Sequence, residues 1–343
     1  ILCNTGSANA DTFRPTAFAI PLSGITIDGK LDDWPKNLFF YPMLNNGRFY
    51  GPTDIDDVEL TTSSDLSPGF MVGYNPRENL IYLAVRVRDD YLYVTNRDPW
   101  HTDACEVYVD GDNSGKSIQR RDYAVMETSE LPAMQYVLCP PGGGYNLKNF
   151  NPNLSSQNPS MFGGDITTTK TQGVCDRIGD MTTYEWAIEV FDKYPDIPTK
   201  LVHGKTIGFD LVAVDKDNET DTPAWICWGP IFGLKLLNAD MLGKLVFLKS
   251  YAVLGTLSGT VKEGKQGKAY PGLSIEIFQN NTLVGETSTD TQGIFHFKML
   301  PGKYNVKPRQ SQGIEPVKEI ECVITAGKEE VVNFNVTSLS KTR

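Results

Sequence analysis

Residues 81–88 of this chain read Ile-Tyr-Leu-Ala-Val-Arg-Val-Arg. The period is two: Ile81, Leu83, Val85 and Val87 fall on one side of an extended backbone, and Tyr82, Ala84, Arg86 and Arg88 on the other. A helix would scatter these residues around its circumference, so the segment is a strand with one face in a core. Asp89-Asp90 stops the apolar run, and a polar loop follows that carries an indole at Trp100. Ala104 to Asp110 makes a second strand, which ends in the acidic tip Asp110-Gly111-Asp112-Asn113. A loop aromatic shortly ahead of a strand carboxylate, Glu106, suits a polyhydroxylated ligand. A sugar ring offers a C–H-rich face for an indole and a rim of hydroxyls for charged, planar partners.

The same pattern recurs along the chain. Ile25–Lys36 gives a short strand, an Asp28-Gly29 turn and Trp34, read as a plug closing one end of a sandwich. Gly69–Asn75, Arg121–Glu127 and Met134–Leu138 read as strands, and 140–165 as a long loop. In Tyr184–Phe191 an apolar face (Trp186, Ile188, Val190) alternates with Glu185, Ala187 and Glu189. Thr206–Asp215 is an apolar strand ending in a second acidic tip, Asp215-Lys216-Asp217-Asn218. Pro223–Pro230 contains Trp225 and Trp228, and Gly243–Leu248 closes this first unit. From residue 253 turn signals come every eight to twelve residues, as in a small sandwich. The expected fold is all-β, two β-sandwich domains in tandem: an N-terminal arm over 1–24, a first sandwich over 25–250 and a second over 253–338.

Charge narrows the partners. Residues 253–343 hold 11 basic and 9 acidic side chains, which leaves 21 basic and 33 acidic of the chain's 32 and 42 in residues 1–252, a net −12. A domain with that balance repels phosphate backbones, so nucleic acid is an unfavourable partner. No run approaches the roughly 18 apolar residues of a membrane span. Six cysteines (Cys3, Cys105, Cys139, Cys175, Cys227 and Cys322) include no C-x-x-C pair, which argues against zinc. Their even number is compatible with disulfides. With the acceptor sequons at Asn153, Asn218, Asn280 and Asn335, it points to an extracellular or cell-surface glycoprotein. No charged-then-apolar leader stands at Ile1, so a secreted protein is expected here in mature form.

Two family resemblances follow from these motifs. Gly259-Thr260-Val261, Tyr270-Pro271-Gly272, Thr289-Asp290 through Gly293-Ile294-Phe295, and Leu300-Pro301-Gly302-Lys303-Tyr304 make the second unit similar to the carboxypeptidase regulatory-like family, a transthyretin-like sandwich. The resemblance implies a spacer or adhesive link rather than a catalyst, and His296 stands alone on its strand. The first unit resembles the family 9 carbohydrate-binding module. The carrying residues are Ile27-Asp28-Gly29 to Trp34, Leu83 to Asp90, Pro99-Trp100 to Glu106, Tyr184-Glu185-Trp186, Gly204 to Asp210, and Trp228. It implies two tryptophans sandwiching a terminal sugar, a glutamate and an arginine on its hydroxyls, and calcium ions stabilising loops. By position Trp100 and Trp228 are the clamp, Glu106 the hydroxyl acceptor and Arg121, with Arg120 beside it, the arginine. Trp225 stands where family members carry a polar residue, a departure that bears on sugar preference.

Asp110 and Asp112, and Asp215 and Asp217, offer clustered oxygens to a structural calcium ion. Ordinary Asx-turn chemistry explains both tips as well. No nucleophile–base pair or catalytic motif appears, so an enzyme is not expected. The leading expectation is a non-catalytic extracellular carbohydrate-binding protein with a poly- or oligosaccharide partner and the second domain as spacer. The alternative is a subunit of an extracellular filament or surface layer. It would bind copies of itself through the N-terminal arm, the second domain and a Cys3–Cys322 bridge between neighbours.

Overall fold

Alternation decides which face of each strand is buried, and the first sandwich is built on that rule. The computed structural model describes residues 14–46, 65–95, 102–115, 133–140, 169–193, 196–220, 223–229, 239–310 and 313–339. In chain order the first unit contains β1 (Thr16–Pro21), β2 (Tyr41–Pro42), β3 (Asn45–Asn46), β4 (Leu66–Asn75), β5 (Leu80–Asp89), β6 (Ala104–Asp110) and β7 (Ala133–Leu138). It continues with β8 (Gln172–Ile178), β9 (Met181–Ile188), the small pair β10 (Phe191–Lys193) and β11 (Ile197–Pro198), then β12 (Thr206–Asp215), β13 (Ala224–Cys227) and β14 (Gly243–Phe247).

One layer runs β7–β6–β12, with β13 and β14 sharing the far edge of β12. The other runs β4–β5–β9–β8. β1 joins them, pairing in parallel with β14 through Thr16 to Ala19 and with β4 through Ile20 and Pro21. Ile81, Leu83, Val85 and Val87 of β5 lie in the inter-layer core with Cys105, Val107 and Val109 of β6 and Ile207, Phe209 and Leu211 of β12. The facing direction expected for β5 is therefore the one found.

Three expectations are corrected. Residues 16–21 are not part of an arm: they form β1, whose Ala17, Phe18 and Ala19 are all buried, so no period of two is visible in the sequence. β8 shows no strand pattern in the sequence because its Gly-Val-Cys-Asp-Arg run does not alternate; it is an edge strand with half-buried side chains. Trp34 does not close an end of the sandwich. It lies over the outer face of the β5–β9 layer with Leu22, Leu38, Leu80, Tyr82, Ala84 and Ala187. The expected strand Arg121–Glu127 and the bulk of the 140–165 loop lie outside the described residues.

The second unit comprises β15 (Gly255–Glu263), β16 (Lys268–Ala269), β17 (Ser274–Gln279), β18 (Thr282–Ser288), β19 (Ile294–Met299), β20 (Gly302–Pro308), β21 (Ile320–Ile324), β22 (Glu329–Val331) and β23 (Phe334–Val336). One sheet is centred on β15; the other has the order β18–β17–β20–β21. Leu257, Ile275, Ile277, Phe295, Val306 and Ile324 pack between them. Asn280 and Asn281 both take positive φ, at 51° and 65°, as the tight β17–β18 hairpin requires. Thr289 ties the second motif together: its hydroxyl donates to the Tyr270 carbonyl at 2.7 Å and accepts from the Leu273 N–H at 2.9 Å. Asp290 accepts from the Gln292 and Ile294 N–H groups, and Gly293 turns the chain at φ 74°. These residues are structural, and His296 is exposed on β19.

Phe39 joins the two units. Its ring sits 4.6 Å from Tyr41 in the first core and 6.1 Å from Phe297 in the second, both edge-on. The connecting turn Tyr251–Val253 is capped by Ser250, and Leu254 is buried against Phe18 and Leu248.

Candidate functional site

On β6 the residues that turn away from the core are Ala104, Glu106, Tyr108 and Asp110. The strand register places their neighbours. Glu106 lies between Val137 of β7 and Val212 of β12, with Cys227 of β13 beyond. Tyr108 lies between Gln135 and Asp210, and Ala104 lies beside Val214, whose far neighbour is Trp225. One outer face thus carries a polar row on β7, β6 and β12 and an indole on β13.

The polar row is internally bonded. Tyr108 donates to Glu106 Oε2 at 2.6 Å, and Gln135 Nε2 donates to the Tyr108 oxygen at 3.0 Å. Gln135 Oε1 is buried without a hydrogen-bond partner. Glu106 itself is only 2% exposed. Burial, then the neighbouring Glu106 charge, push the Tyr108 phenol well above its ordinary pKa, so it remains a donor. Asp210 accepts from the Gly229 N–H at 2.8 Å and its own neighbour Leu211 at 2.8 Å. Gly229 must lack a side chain, because a Cβ there would stand 2.2 Å from Asp210 Oδ2.

The clamp expected from the sequence is redistributed. Trp228 is corrected: its backbone N–H bonds the Leu211 carbonyl, and its indole turns into the inter-layer core. There it packs edge-on to Phe70, Phe209 and Tyr41 at 5.2, 5.8 and 6.4 Å, leaving 6% of the residue exposed. A ring in that position does not stack on a ligand. Trp225, three residues earlier on the opposite face, is half-buried beside the apolar cluster of Val137, Cys139, Val212 and Cys227. Trp100, Arg120 and Arg121 lie outside the described residues.

The disulfide expectation is also corrected. Cys105, Cys139, Cys175, Cys227 and Cys322 are free thiols. Cys105 faces the inter-layer core, whereas Cys139 and Cys227 are on the opposite face of that layer. The latter two are separated by the width of β6 and β12, roughly 14 Å at about 4.8 Å per strand, too far for a bridge. Burial raises the Cys139 thiol to about 12 and the Cys322 thiol to about 11. Cys322 is packed in the second core, so a bridge to a neighbour's Cys3 would require opening that core. Cys3 and the sequon Asn153 lie outside the described residues; Asn218, Asn280 and Asn335 are exposed.

The two acidic tips differ. At the first, Asp112 Oδ1 accepts from the Ser114 N–H in an Asx turn and Asp110 Oδ2 from the Gly115 N–H five residues on, while Asp110 Oδ1 is buried without a hydrogen-bond partner. At the second, Asp215 and Asp217 meet Asp65, Asp89 and Asp90 from the β4–β5 end. Asp103 stands beside them, accepting from the Tyr93 N–H at 2.8 Å and the Lys216 N–H at 2.9 Å. Burial and the neighbouring carboxylates hold Asp103 up at about 9 and Asp215 at about 8. Asp215 and Asp217 stand out in the sequence as an acidic tip, and the paired acids Asp89-Asp90 ending β5 are the sequence signal for their partners.

Known proteins share these segments. Residues 53–129 match the carbohydrate family 9 binding domain-like family, and residues 256–337 the carboxypeptidase regulatory-like domain. Each match covers under half of the chain; together they define a tandem of a family 9-like and a regulatory-like β-sandwich. Among solved structures, a family 9 carbohydrate-binding module from Caldicellulosiruptor kristjanssonii in complex with cellotriose is 17% identical, with a TM-score of 0.48 over 68% of this chain and 94% of that one. Its glucose complex matches with the same score over 96% of that chain. A putative carbohydrate-binding protein from Bacteroides uniformis is 11% identical, with a TM-score of 0.39 over 68% of this chain and 99% of that one. A search of curated proteins found no match.

Proposed function

We propose that the first sandwich is a non-catalytic carbohydrate-binding module of an extracellular or cell-surface protein, with the second sandwich as its spacer. The observation that carries this reading is the family match over residues 53–129, the segment that contains Trp100, Glu106 and Arg121. The arrangement on the β6–β12–β13 face supports it, since the half-buried Trp225 lies on the same face as the row of polar side chains. Glu106, buried and bonded to Tyr108, fixes that row from beneath, while Trp225 is the sugar-stacking platform in place of Trp228. Trp100 and Arg121 remain its proposed partners. Phe39 gives the spacer a fixed seat on the first core. Exposed sequons at Asn218, Asn280 and Asn335 suit a glycoprotein. No helix among the described residues is long and apolar enough to cross a membrane.

A glycan array with calcium present tests the reading. The wild-type chain is expected to bind a defined set of poly- or oligosaccharides, and Trp225→Ala to lose about tenfold or more of that affinity without a change in unfolding midpoint, as removal of a stacked aromatic implies. A folded wild-type chain that binds no glycan refutes it. The filament reading keeps one observation: the edge strand β21 exposes Ile320 and Val323, and β22 exposes Val331, an edge that a second chain would cover. Concentration-dependent assembly in size-exclusion chromatography is its test.

A further inference from the structure

Two separate stretches of chain tie the second sandwich to the first. One is the covalent connection. The Leu248 N–H donates to the Ala19 carbonyl at 2.8 Å, and the Tyr251–Val253 turn leads through Leu254 into β15. Leu254, 1% exposed, is buried against Phe18 and Leu248, and its carbonyl accepts from the Gly327 N–H of the second unit at 2.8 Å. The other stretch is not a covalent link. Residues 22–42 cross the outer face of the β4–β5–β9 layer as a strap. One end is fixed by the Leu22 N–H on the Tyr74 carbonyl at 2.7 Å, the other by the pairing of Tyr41 and Pro42 with β4.

Between those anchors Trp34 and Leu38 pack on Tyr82, Ala84 and Ala187, and Trp34 Nε1 donates to Glu185 Oε1 at 2.7 Å. Phe39 follows at once and packs against both cores. Its ring meets Tyr41 and Phe297 edge-on, at interplanar angles of 78° and 89°. Each receiving ring is itself fixed. Tyr41 stacks on Phe70 at 5.1 Å, and its hydroxyl oxygen accepts from the Phe18 N–H at 2.9 Å. Phe297 lies so close to Gly285 that a Cβ there would stand 2.7 Å from its ring. β2 also lies against β18. Tyr251, in the covalent connection, packs on the strap's apolar cluster and on that of Phe18 and Leu254.

We propose that residues 22–42 are a strap that locks the two sandwiches into one rigid body, with Phe39 as its contact to the second core and Glu185 as the peg that holds it down. Domains joined by a single connection move relative to one another by default, because one joint leaves the angle between them free. A second attachment from a different part of the chain removes that freedom. Aromatic packing supplies it here through apolar burial and edge-on ring contacts, with no charge to desolvate. The second sandwich is then no freely swinging spacer: it is held at one angle to the β6–β12–β13 face. Because a single ring reaches the second core, its removal should free that sandwich without unfolding either core. The joint stands whether or not the first sandwich binds sugar.

Nitrogen-15 relaxation of the full chain tests the joint without any glycan, by reading how fast each sandwich tumbles; thermal unfolding checks that each variant is folded. The wild type is expected to show one rotational correlation time for the amides of both sandwiches. Phe39→Ala is expected to keep both sandwiches folded and to shorten the second one's correlation time roughly twofold relative to the first, as for a small tethered domain. Glu185→Ala leaves Phe39 in place but frees the strap at Trp34, so the same separation of the two times is expected while the chain remains folded. A wild-type chain whose sandwiches tumble with different times overturns the proposal, as does a folded Phe39→Ala chain that keeps a single time. A folded Glu185→Ala chain with a single time overturns the role of the peg.

Discussion

Trp228→Ala is expected to lower the unfolding free energy by about 3–5 kcal/mol, the usual cost of removing a large aromatic from a core. The reason is its place among Tyr41, Phe70 and Phe209, with its ring edge also close against Gly243. Removing the indole leaves a cavity lined by three aromatic rings held on three different strands or their flanks, which cannot all collapse into it. Denaturant unfolding measures the loss directly. A ligand-facing tryptophan would give the reverse result, with binding lost and stability kept, so a Trp228→Ala chain within about 1 kcal/mol of wild type would place its ring outside the core. The pair Trp225→Ala and Trp228→Ala therefore separates binding from packing at two positions three residues apart.

Glu185→Ala should be nearly as damaging, at about 3 kcal/mol, because two buried donors and a part-buried one lose their acceptor together. Glu185 is 0% exposed on the outer face of β9. Its Oε2 accepts from the Asp28 and Gly29 N–H groups at 2.9 and 2.8 Å, and its Oε1 from Trp34 Nε1 at 2.7 Å. The carboxylate is thus the peg that holds residues 25–38 over the apolar patch of Tyr82, Ala84 and Ala187. Hydrogen exchange should show residues 28–34 opening in the variant before the rest of the sandwich. An unfolding midpoint equal to wild type would remove the peg role.

The same residue gives a pH dependence. Burial holds its carboxyl above the ordinary 4.5, with the Trp34, Gly29 and Asp28 donors pulling the other way. The folded state then binds this proton more tightly than the unfolded chain, so this residue's contribution is greatest below the ordinary value and declines as pH rises through the folded one. Glu185→Gln should flatten that part of the stability profile.

Much of the fold was legible because burial on one face of a strand writes a period of two into the sequence. β5 and β9 are legible that way, whereas β6 and β12, buried on both faces, are legible as apolar runs that end in acidic tips. The second unit's motifs are turn devices, such as the Thr289 clasp and the Asp290–Gly293 turn, and local bonding suffices to make them readable. β1 and β8 were hidden for opposite reasons: β1 is buried on both faces, and β8 lies at an edge with neither face fully buried.

The sequence by itself determined that this chain is all-β in two units, with turn signals setting the second apart from about residue 253. It also supplied the residue types expected of a sugar site and of a cation site. Tertiary structure decided which residues serve where. Trp225 and Trp228 are three residues apart on and just past β13, an odd spacing that puts the two indoles on opposite faces, and the packing of the layers decides that Trp228 is the one in the core. Glu185 reads as a solvent-facing charge and is buried because a segment some 150 residues earlier folds over it. Of the five aspartates at the β4, β5 and β12 ends, Asp215 and Asp217 stand out in sequence as an acidic tip, and Asp65, Asp89 and Asp90 do not. Long-range strand pairing alone carries them to one point, because register is set by the packing of both layers and not by any residue's neighbours in the chain.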